Sequence, residues 1–250
     1  MTQKPLTGKT ALVTGSARNI GRATALRLAA SGANVIVNAV QDRAAAEAVK
    51  AEIEAAGGRA IAFLADVTDR DAVFAMAEAG RKAFGSVDIL VSNASARGMV
   101  PFLEMDHATW RRVIDISLDG AFHLSQATLP MMLEKGWGRI VTLGGIAWHA
   151  GFANRANNLT GKAGLTGLTR ALAAEFGGQG VTVNMVSPGM VETVRPASAG
   201  ALPPMKNPPP VPRFAHVDEI ASAIHYLCLP EQGYMTGQIL HVNGGMYYGS

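Results

Sequence analysis

Thr10-Ala-Leu-Val-Thr-Gly-Ser-Ala-Arg-Asn-Ile-Gly-Arg22 decides the fold of this chain. The apolar run Thr10–Val13 predicts a buried strand, and an Ala- and Leu-rich helix is predicted over Arg22–Ala30. A strand that enters a helix through a glycine turn leaves unpaired backbone N–H groups, which attract a phosphate anion. We expect Gly15 to make the tight turn and Gly21 to let the helix approach the strand closely.

The rest of the chain alternates between short apolar runs and longer Ala- and Leu-rich segments. Strands are predicted at Asn34–Ala39, Ala60–Ala65, Asp88–Ser92, Gly138–Leu143, Val181–Val186 and Gln238–Val242, and helices at Arg43–Ala56, Asp71–Phe84, Ala108–Glu134 (one long helix or two), Ala156–Phe176 and Asp218–Cys228. This order predicts an α/β fold: one doubly wound parallel sheet, flanked by helices on both faces, in a single domain over residues 1–250. The proline-rich stretch 195–212 is predicted to be a loop or lid over the ligand crevice, which such sheets form at the carboxyl ends of their strands.

Composition excludes several classes of protein. The net charge of +3 comes from dispersed basic residues, so we expect anionic small ligands and no nucleic acid. No apolar run reaches the ~18 residues that span a bilayer, and the N-terminus has no signal-peptide core. A single cysteine, Cys228, suits a reducing compartment, which favours a cytoplasmic protein. The six histidines show no metal-ligand spacing with carboxylates, so no metal is expected.

Several motifs resemble those of the short-chain dehydrogenase/reductase family, and most closely its bacterial 3-oxoacyl-carrier-protein reductases. The stretches that carry the resemblance are Thr14–Gly21, Asp66-Val67, Ser92–Ser95, Asn184–Thr193, Thr236–Gln238 and Val242–Gly245. The resemblance implies a Rossmann-like fold and a nicotinamide dinucleotide as cofactor. The cofactor-binding residues that it implies are Gly15, Ser16, Arg18, Asn19, Ile20, Gly21, Asp66, Val67, Asn93, Ala94, Lys162, Pro188, Gly189 and Thr193.

The catalytic positions depart from the family pattern. The family places a tyrosine four residues before a lysine, and here Asn158 precedes Lys162 at that spacing. Gly145 takes the place of the family's serine and Ser117 that of its asparagine, while no tyrosine occurs before Tyr226. An asparagine amide donates a hydrogen bond but releases no proton near neutral pH. Loss of a positioned general acid typically costs about 10²–10⁴ in rate.

Other residues could supply the missing chemistry. Lys162 keeps the charge and donors that would bind the cofactor's ribose. His149, in the loop after the fifth strand, is a candidate proton donor beside Trp148, although a loop histidine without a titrating role is the interpretation that we favour. The catalytic candidates are therefore Lys162, Asn158, His149 and Ser117, with a tyrosine near the C-terminus of a neighbouring subunit (Tyr247 or Tyr248) as a further alternative.

We expect NADP(H) rather than NAD(H), because no acid stands at Ala39 or Val40, where NAD-preferring relatives typically have one. Arg18, and secondarily Arg43, would pair with the 2′-phosphate. The resulting hypothesis is an atypical oxidoreductase for a small carbonyl or alcohol substrate. A catalytically inactive, cofactor-binding homologue that acts as a sensor or as the partner subunit of an active relative is the alternative. The small residues on one face of Ala156–Phe176 allow another helix to approach closely, and the family resemblance implies that this helix pairs between subunits in a homo-oligomer, a dimer or tetramer.

Overall fold

The structure is a computed structural model that describes residues 4–96, 98–194 and 208–249. The predicted lid falls mostly on residues 195–207, which lie outside this part of the chain. Within the described ranges the strands are β1 (Thr10–Val13), β2 (Asn34–Ala39), β3 (Ala60–Leu64), β4 (Ile89–Ser92), β5 (Gly138–Leu143), β6 (Val181–Pro188) and β7 (Ile239–Val242). The helices are α1 (Asn19–Ala30), α2 (Arg43–Ala55), α3 (Arg70–Phe84), α4 (His107–Ile114), α5 (Gly120–Glu134), α6 (Ala147–Ala150), α7 (Ala156–Phe176) and α8 (Val217–Cys228).

The seven strands form one parallel sheet in the order β3-β2-β1-β4-β5-β6-β7. The predicted α/β sheet is therefore confirmed. The chain order reverses between β1 and β4, which are direct neighbours. In an open sheet of this kind, ligands bind at the carboxyl ends of the strands beside this reversal.

Alternating side chains bury both faces of the sheet. Leu12 and Leu90 belong to one apolar cluster, which also contains Met76 of α3 and Leu124 of α5. Val13 belongs to a second cluster on the other face, with residues of α1 and α8. This is the two-residue period of a strand whose two faces are both covered by helices.

Several element boundaries differ from the sequence prediction. Helix α1 begins at Asn19 and not at Arg22, and β6 continues to Pro188. The predicted helical stretch from Ala108 to Glu134 is two α-helices joined by a π-helical turn, Asp115–Asp119. Helix α6 was expected to be loop. None of the helices in the described ranges is long and apolar enough to cross a membrane.

Candidate functional site

The turn between β1 and α1 is packed too closely for side chains at its glycines. Gly15 has a φ of 59°, which few residues other than glycine adopt. A Cβ on Gly21 would lie 2.3 Å from the carbonyl oxygen of Gly15 and 2.8 Å from Nδ2 of Asn93. The geometry therefore agrees with the turn and close-approach roles expected of Gly15 and Gly21.

Asn19 takes a φ of 51° at a position where the family has glycine, and its side chain reaches a distant segment. Its Oδ1 accepts a hydrogen bond from the N–H of Val194 at 2.8 Å, and its Nδ2 donates to the Val194 carbonyl at 3.1 Å. We call these two bonds the Asn19–Val194 clasp. The clasp joins the β1–α1 turn to the segment that carries Thr193, so two predicted parts of the cofactor site are held together.

Ser16 supports the turn from inside through three hydrogen bonds. Its hydroxyl donates to the Val13 carbonyl at 2.7 Å and accepts from the N–H of Asn38 at 2.9 Å. Its own N–H donates to the Asn38 carbonyl at 2.9 Å, and the residue is fully buried. These bonds leave Ser16 no free donor for a phosphate. The adjacent Ile20 packs partly against the apolar cluster under α1 and α8.

Asn38 is a structural part of the site that the sequence interpretation missed. It lies buried in β2, where its Oδ1 accepts from the N–H of Gly15 at 3.1 Å and its Nδ2 donates to the Ala65 carbonyl at 3.0 Å. It thus fixes the glycine turn against the end of β3, next to Asp66. The amide of Asn38 inside the apolar run Val35–Ala39 was the available signal.

Thr14 and Asn93 join β1 to β4 beneath the turn. The Thr14 hydroxyl accepts from the N–H groups of Asn93 and Ala94, both at 3.0 Å. The Asn93 amide donates to the Thr14 carbonyl at 2.8 Å. The side chain of Asn93 therefore shapes the turn, and the adjacent Ala94 borders the cavity described next.

A cavity of about 800 Å³ opens between the glycine turn, the ends of β2 and β3, and α4. Gly15, Arg18, Asp66, Val67 and Ala94, all predicted for cofactor binding, line it. Its other lining residues include Asn38, Ala39, Val40, Asp42, Thr68, Arg111 and Ile116. Its size and position suit the adenosine half of a dinucleotide, which agrees with the role expected of Asp66-Val67. The catalytic candidates do not line this cavity.

One acidic residue that the sequence interpretation overlooked lines the same cavity. Asp42 lies three positions beyond Ala39, caps α2 by accepting from the N–H of Ala45 at 3.1 Å, and has an oxygen 3.5 Å from the Arg18 guanidinium. The expectation that no acid stands at the end of β2 is therefore incomplete. Arg43 pairs instead with Glu47, at 3.9 Å, and does not line the cavity.

Lys162 is buried at the carboxyl end of β5. Its ammonium group donates to the carbonyl of Leu143, the last residue of that strand, and the residue is only 7% exposed. Burial lowers the pKa of Lys162 to about 8, because the charged form loses its hydration. The binding of the cofactor's ribose by Lys162 stays a prediction.

The three positions that depart from the family pattern lie close to Lys162 or its contacts along the chain: Asn158 is one turn earlier on α7, Gly145 follows Leu143 by two residues, and Ser117 packs against Gly161. A Cβ on Gly145 would meet no atom within 4 Å, so this position faces open space. The amide of Asn158, on α7, lies 3.5 Å from the Ala96 carbonyl. Ser117, in the π-helical turn, packs against Gly161, and its buried hydroxyl has no partner among the described residues. None of these three side chains can release a proton near neutral pH.

The end of β6 borders this region from the other side. A Cβ on Gly189 would lie 2.8 Å from Cα of Asn243, so the backbones pass in close contact. The Pro188 carbonyl accepts from the N–H of Ile146 at 2.9 Å, which ties the loop after β5 to β6. The hydroxyl of Thr193 is buried without a partner in the described part of the chain. The contact of Thr193 with the cofactor stays a prediction.

His149 lies on α6 within a group of aromatic rings that the sequence did not predict. Its ring stacks on Tyr247 at a centroid distance of 4.4 Å and lies 3.6 Å from Trp148 and 4.8 Å from His241. Tyr247 thus reaches this loop within its own chain, whereas the sequence interpretation had considered a tyrosine from a neighbouring subunit. The described residues contain no group of three or more His, Cys, Asp or Glu side chains that could hold a metal.

Comparison with known proteins identifies the family. The family model described as enoyl-(acyl carrier protein) reductase matches residues 15–247. The 3-oxoacyl-[acyl-carrier-protein] reductase of Synechocystis sp. is 40% identical over 242 residues, which cover 96% of this chain and 98% of the relative. The corresponding reductase FabG of Escherichia coli is 39% identical over 242 residues, with the same coverage.

Solved structures agree with this sequence match. A short-chain dehydrogenase from Burkholderia cenocepacia, crystallised in complex with NADP, has a TM-score of 0.90 and 34% identity, covering 96% of this chain and 98% of that chain. A short-chain dehydrogenase/reductase variant from Serratia marcescens gives the same TM-score, identity and coverage. The chain belongs to the short-chain dehydrogenase/reductase family, as its motifs predicted.

Proposed function

We propose that this chain is an NADP(H)-dependent oxidoreductase that interconverts a small carbonyl compound and its alcohol through an altered proton relay. The observation that carries the proposal is Lys162. Burying an ammonium group is costly unless it is paired, and here the described structure pairs it with one neutral carbonyl. A bound ribose would provide further acceptors for its remaining donors, so a functional cofactor site explains why a cation is kept there.

The residues around the glycine turn fit a dinucleotide. The cavity beside Gly15, Asp66 and Val67 would take the adenosine, and the unpartnered hydroxyl of Thr193 would meet a polar group of the cofactor. When bound, NADP(H) would supply or accept the hydride. Arg18 favours NADP(H) over NAD(H), because a guanidinium suits a phosphate. The NADP found in the Burkholderia cenocepacia relative supports the same preference.

The proton must come from a residue other than the family's tyrosine. In our proposal, the Asn158 amide orients the substrate oxygen or a water beside it, the buried Ser117 hydroxyl supports a water chain behind Lys162, and His149 exchanges the proton. Imidazole is suited to this step because its ordinary pKa lies near neutral pH. The protein would act in the cytoplasm as a homo-oligomer.

The second candidate is an inactive homologue that binds NADP(H) as a sensor or as the partner subunit of an active relative. The observation that favours it is the absence of an acidic proton donor at Asn158, Gly145 and Ser117 together. Both candidates predict cofactor binding, so binding alone does not separate them.

The deciding experiment measures binding and turnover on one sample. Titration with NADPH and NADH, followed by tryptophan fluorescence, gives the two dissociation constants. Consumption of NADPH is then measured with a panel of aldehydes, ketones and 3-oxoacyl thioesters. We expect tighter binding of NADPH, turnover of part of the panel, and a loss of about 10²-fold or more in His149→Ala. NADPH binding without turnover across the panel would establish the second candidate.

A restoration variant tests the same distinction from the opposite direction. Gly145→Ser has open space for its side chain, so Gly145→Ser/Asn158→Tyr rebuilds two of the family's groups without a clash at position 145. We expect this double variant to gain about 10²-fold or more in carbonyl reduction. Asn158→Phe, which adds the ring without the acidic hydroxyl, is the matched control and should gain nothing.

A further inference from the structure

Four aromatic side chains from three segments of the chain meet beside the loop after β5. Trp148 and His149 come from α6, His241 from β7 and Tyr247 from the segment after β7. The ring of His149 contacts the other three, and His241 lies 5.0 Å from Tyr247 between ring centroids. We call this group the His149 cluster.

The backbone is arranged so that Tyr247 returns to this loop. The Asn243 side chain accepts from the N–H of Gly245 at 3.0 Å and donates to the Tyr247 carbonyl at 2.9 Å, which closes a turn after β7. Gly189 packs on Asn243, and Ile146 is bonded to Pro188. These contacts join the ends of β5, β6 and β7. The position of Tyr247 beside His149 is therefore fixed by the fold, and the segment after β7 is not a loose tail.

Polar atoms of the cluster are buried without partners. Nε1 of Trp148, Nε2 of His149 and Nδ1 of His241 have no hydrogen bond within the described residues and almost no exposed surface. Buried polar atoms are nearly always paired in native proteins. The cluster therefore has hydrogen-bonding capacity that a water or a substrate group would satisfy, which a purely structural aromatic cluster would not need.

We infer that His241 and Tyr247 are positioning residues for His149: they hold its ring in place and set the pH at which it exchanges a proton. This inference rests on the proposed function, in which His149 completes the proton relay. The titratable groups that contact the His149 ring in the described structure are His241, from β7, and Tyr247, from the segment after it.

The direction of the effect follows from these contacts. Burial lowers the pKa of His149, and a positive charge on His241 lowers that pKa further. Removing the His241 imidazole should therefore raise the pKa of His149. Removing the Tyr247 ring should raise it as well, because water would then reach His149 and hydrate the charged form. Tyr247→Phe keeps the stacked ring and should leave the pKa unchanged.

Histidine NMR tests the inference without any activity assay. The full-length protein is labelled at histidine Cε1, and the His149 resonance is assigned by its absence in His149→Gln. We expect its titration midpoint to rise by about half a pH unit in His241→Gln, the order expected for one charge about 5 Å away in water-like surroundings. Tyr247→Leu should raise the midpoint too, whereas Tyr247→Phe should not.

Matched controls come from the same residue types elsewhere. His107→Gln and Tyr248→Leu replace exposed side chains and should leave the His149 midpoint unchanged. A His149 midpoint that is the same in wild type, His241→Gln and Tyr247→Leu overturns the inference. Circular dichroism of each variant excludes unfolding as the cause of a changed midpoint.

Activity separates failure of this inference from failure of the proposed function. In carbonyl reduction the imidazolium would donate the proton, so kcat falls as pH rises through the pKa of His149. In His241→Gln that fall should move to higher pH, with the KM for NADPH unchanged. A shifted NMR midpoint with an unshifted kcat profile overturns the role in the reaction. Absence of turnover in the wild type overturns the proposed function, and the relay role with it.

Discussion

Arg18 lies beside the adenosine end of the cavity, within reach of an acid of its own chain. Its guanidinium is 3.5 Å from Asp42, and both side chains are about half exposed or more (63% and 48%). An ion pair this exposed contributes only about 0–1 kcal/mol to stability. A phosphate, with its larger charge and two oxygens that can accept both parallel N–H bonds of the guanidinium, should therefore compete for Arg18 successfully.

Asp42→Asn should improve the binding of NADPH more than that of NADH. The substitution frees Arg18 and removes a negative charge from the cavity wall, while asparagine still caps α2. We expect the Kd for NADPH to fall about 3- to 10-fold, equivalent to at most ~1.4 kcal/mol, with little change for NADH. Fluorescence titration with both cofactors measures this. Asp71→Asn, at an exposed acid on α3, is the control, and an equal gain for NADH would contradict the prediction.

At the scale of elements, the Asn19–Val194 clasp joins the first strand–helix unit to the segment after β6. The family has glycine at this position, which accommodates a φ of 51° at no cost. Asn19 gives up part of that freedom and gains two hydrogen bonds to a backbone 175 residues away. Since Thr193 precedes Val194, the clasp should hold both sides of the cofactor site at a fixed separation.

Substitutions at Asn19 should separate backbone strain from the clasp. Asn19→Gly and Asn19→Ala both remove the hydrogen bonds, so both should weaken NADPH binding to a similar degree. Only the alanine has a Cβ in a left-handed conformation, so Asn19→Ala should unfold with about 1–2 kcal/mol less free energy than Asn19→Gly. Urea denaturation and NADPH titration measure the two effects.

Asn154 provides the matched control, because it also has a positive φ, 63°, but lies outside the dinucleotide turn. Asn154→Gly and Asn154→Ala should repeat the difference in unfolding free energy without a comparable loss of NADPH affinity. If Asn19→Gly binds NADPH as tightly as wild type, the clasp has no role in the cofactor site.

At the scale of the whole molecule, the strand and helix bounds that the sequence predicts correctly are those determined by local interactions. The bounds of β1, β2, β5 and α7 agree with their apolar patterns, because side-chain period and helix length are local properties. The start of α1 was missed because it depends on Asn19. The positive φ of this residue is accompanied by hydrogen bonds to Val194, which is distant in the sequence. Likewise, no local pattern brings Tyr247 to His149. Asp42 could have been found by reading three residues further along the chain.

The small-residue face of α7, predicted as a subunit contact, is partly used within the chain. A Cβ on Gly161 would lie 3.3 Å from Cβ of Ser117, and one on Gly164 would lie 3.0 Å from Leu118. Both glycines therefore serve the packing of α7 on the π-helical turn. Gly167 is exposed, and a Cβ there would meet nothing within 4 Å. It is the position at which a second copy of α7 could approach.

Gly167→Arg should therefore dissociate the proposed homo-oligomer without unfolding the subunit. The side chain extends into open space, and replacing glycine within a helix gains up to ~1 kcal/mol of helix propensity, so the subunit should keep its stability. Sedimentation velocity should show the mass fall towards 26.1 kDa. Gly178→Arg, at an exposed glycine just beyond α7, is the matched control and should leave the mass unchanged. If Gly167→Arg keeps the wild-type mass, the subunit contact lies on another surface. Closely packed helices could not accommodate an arginine at this position.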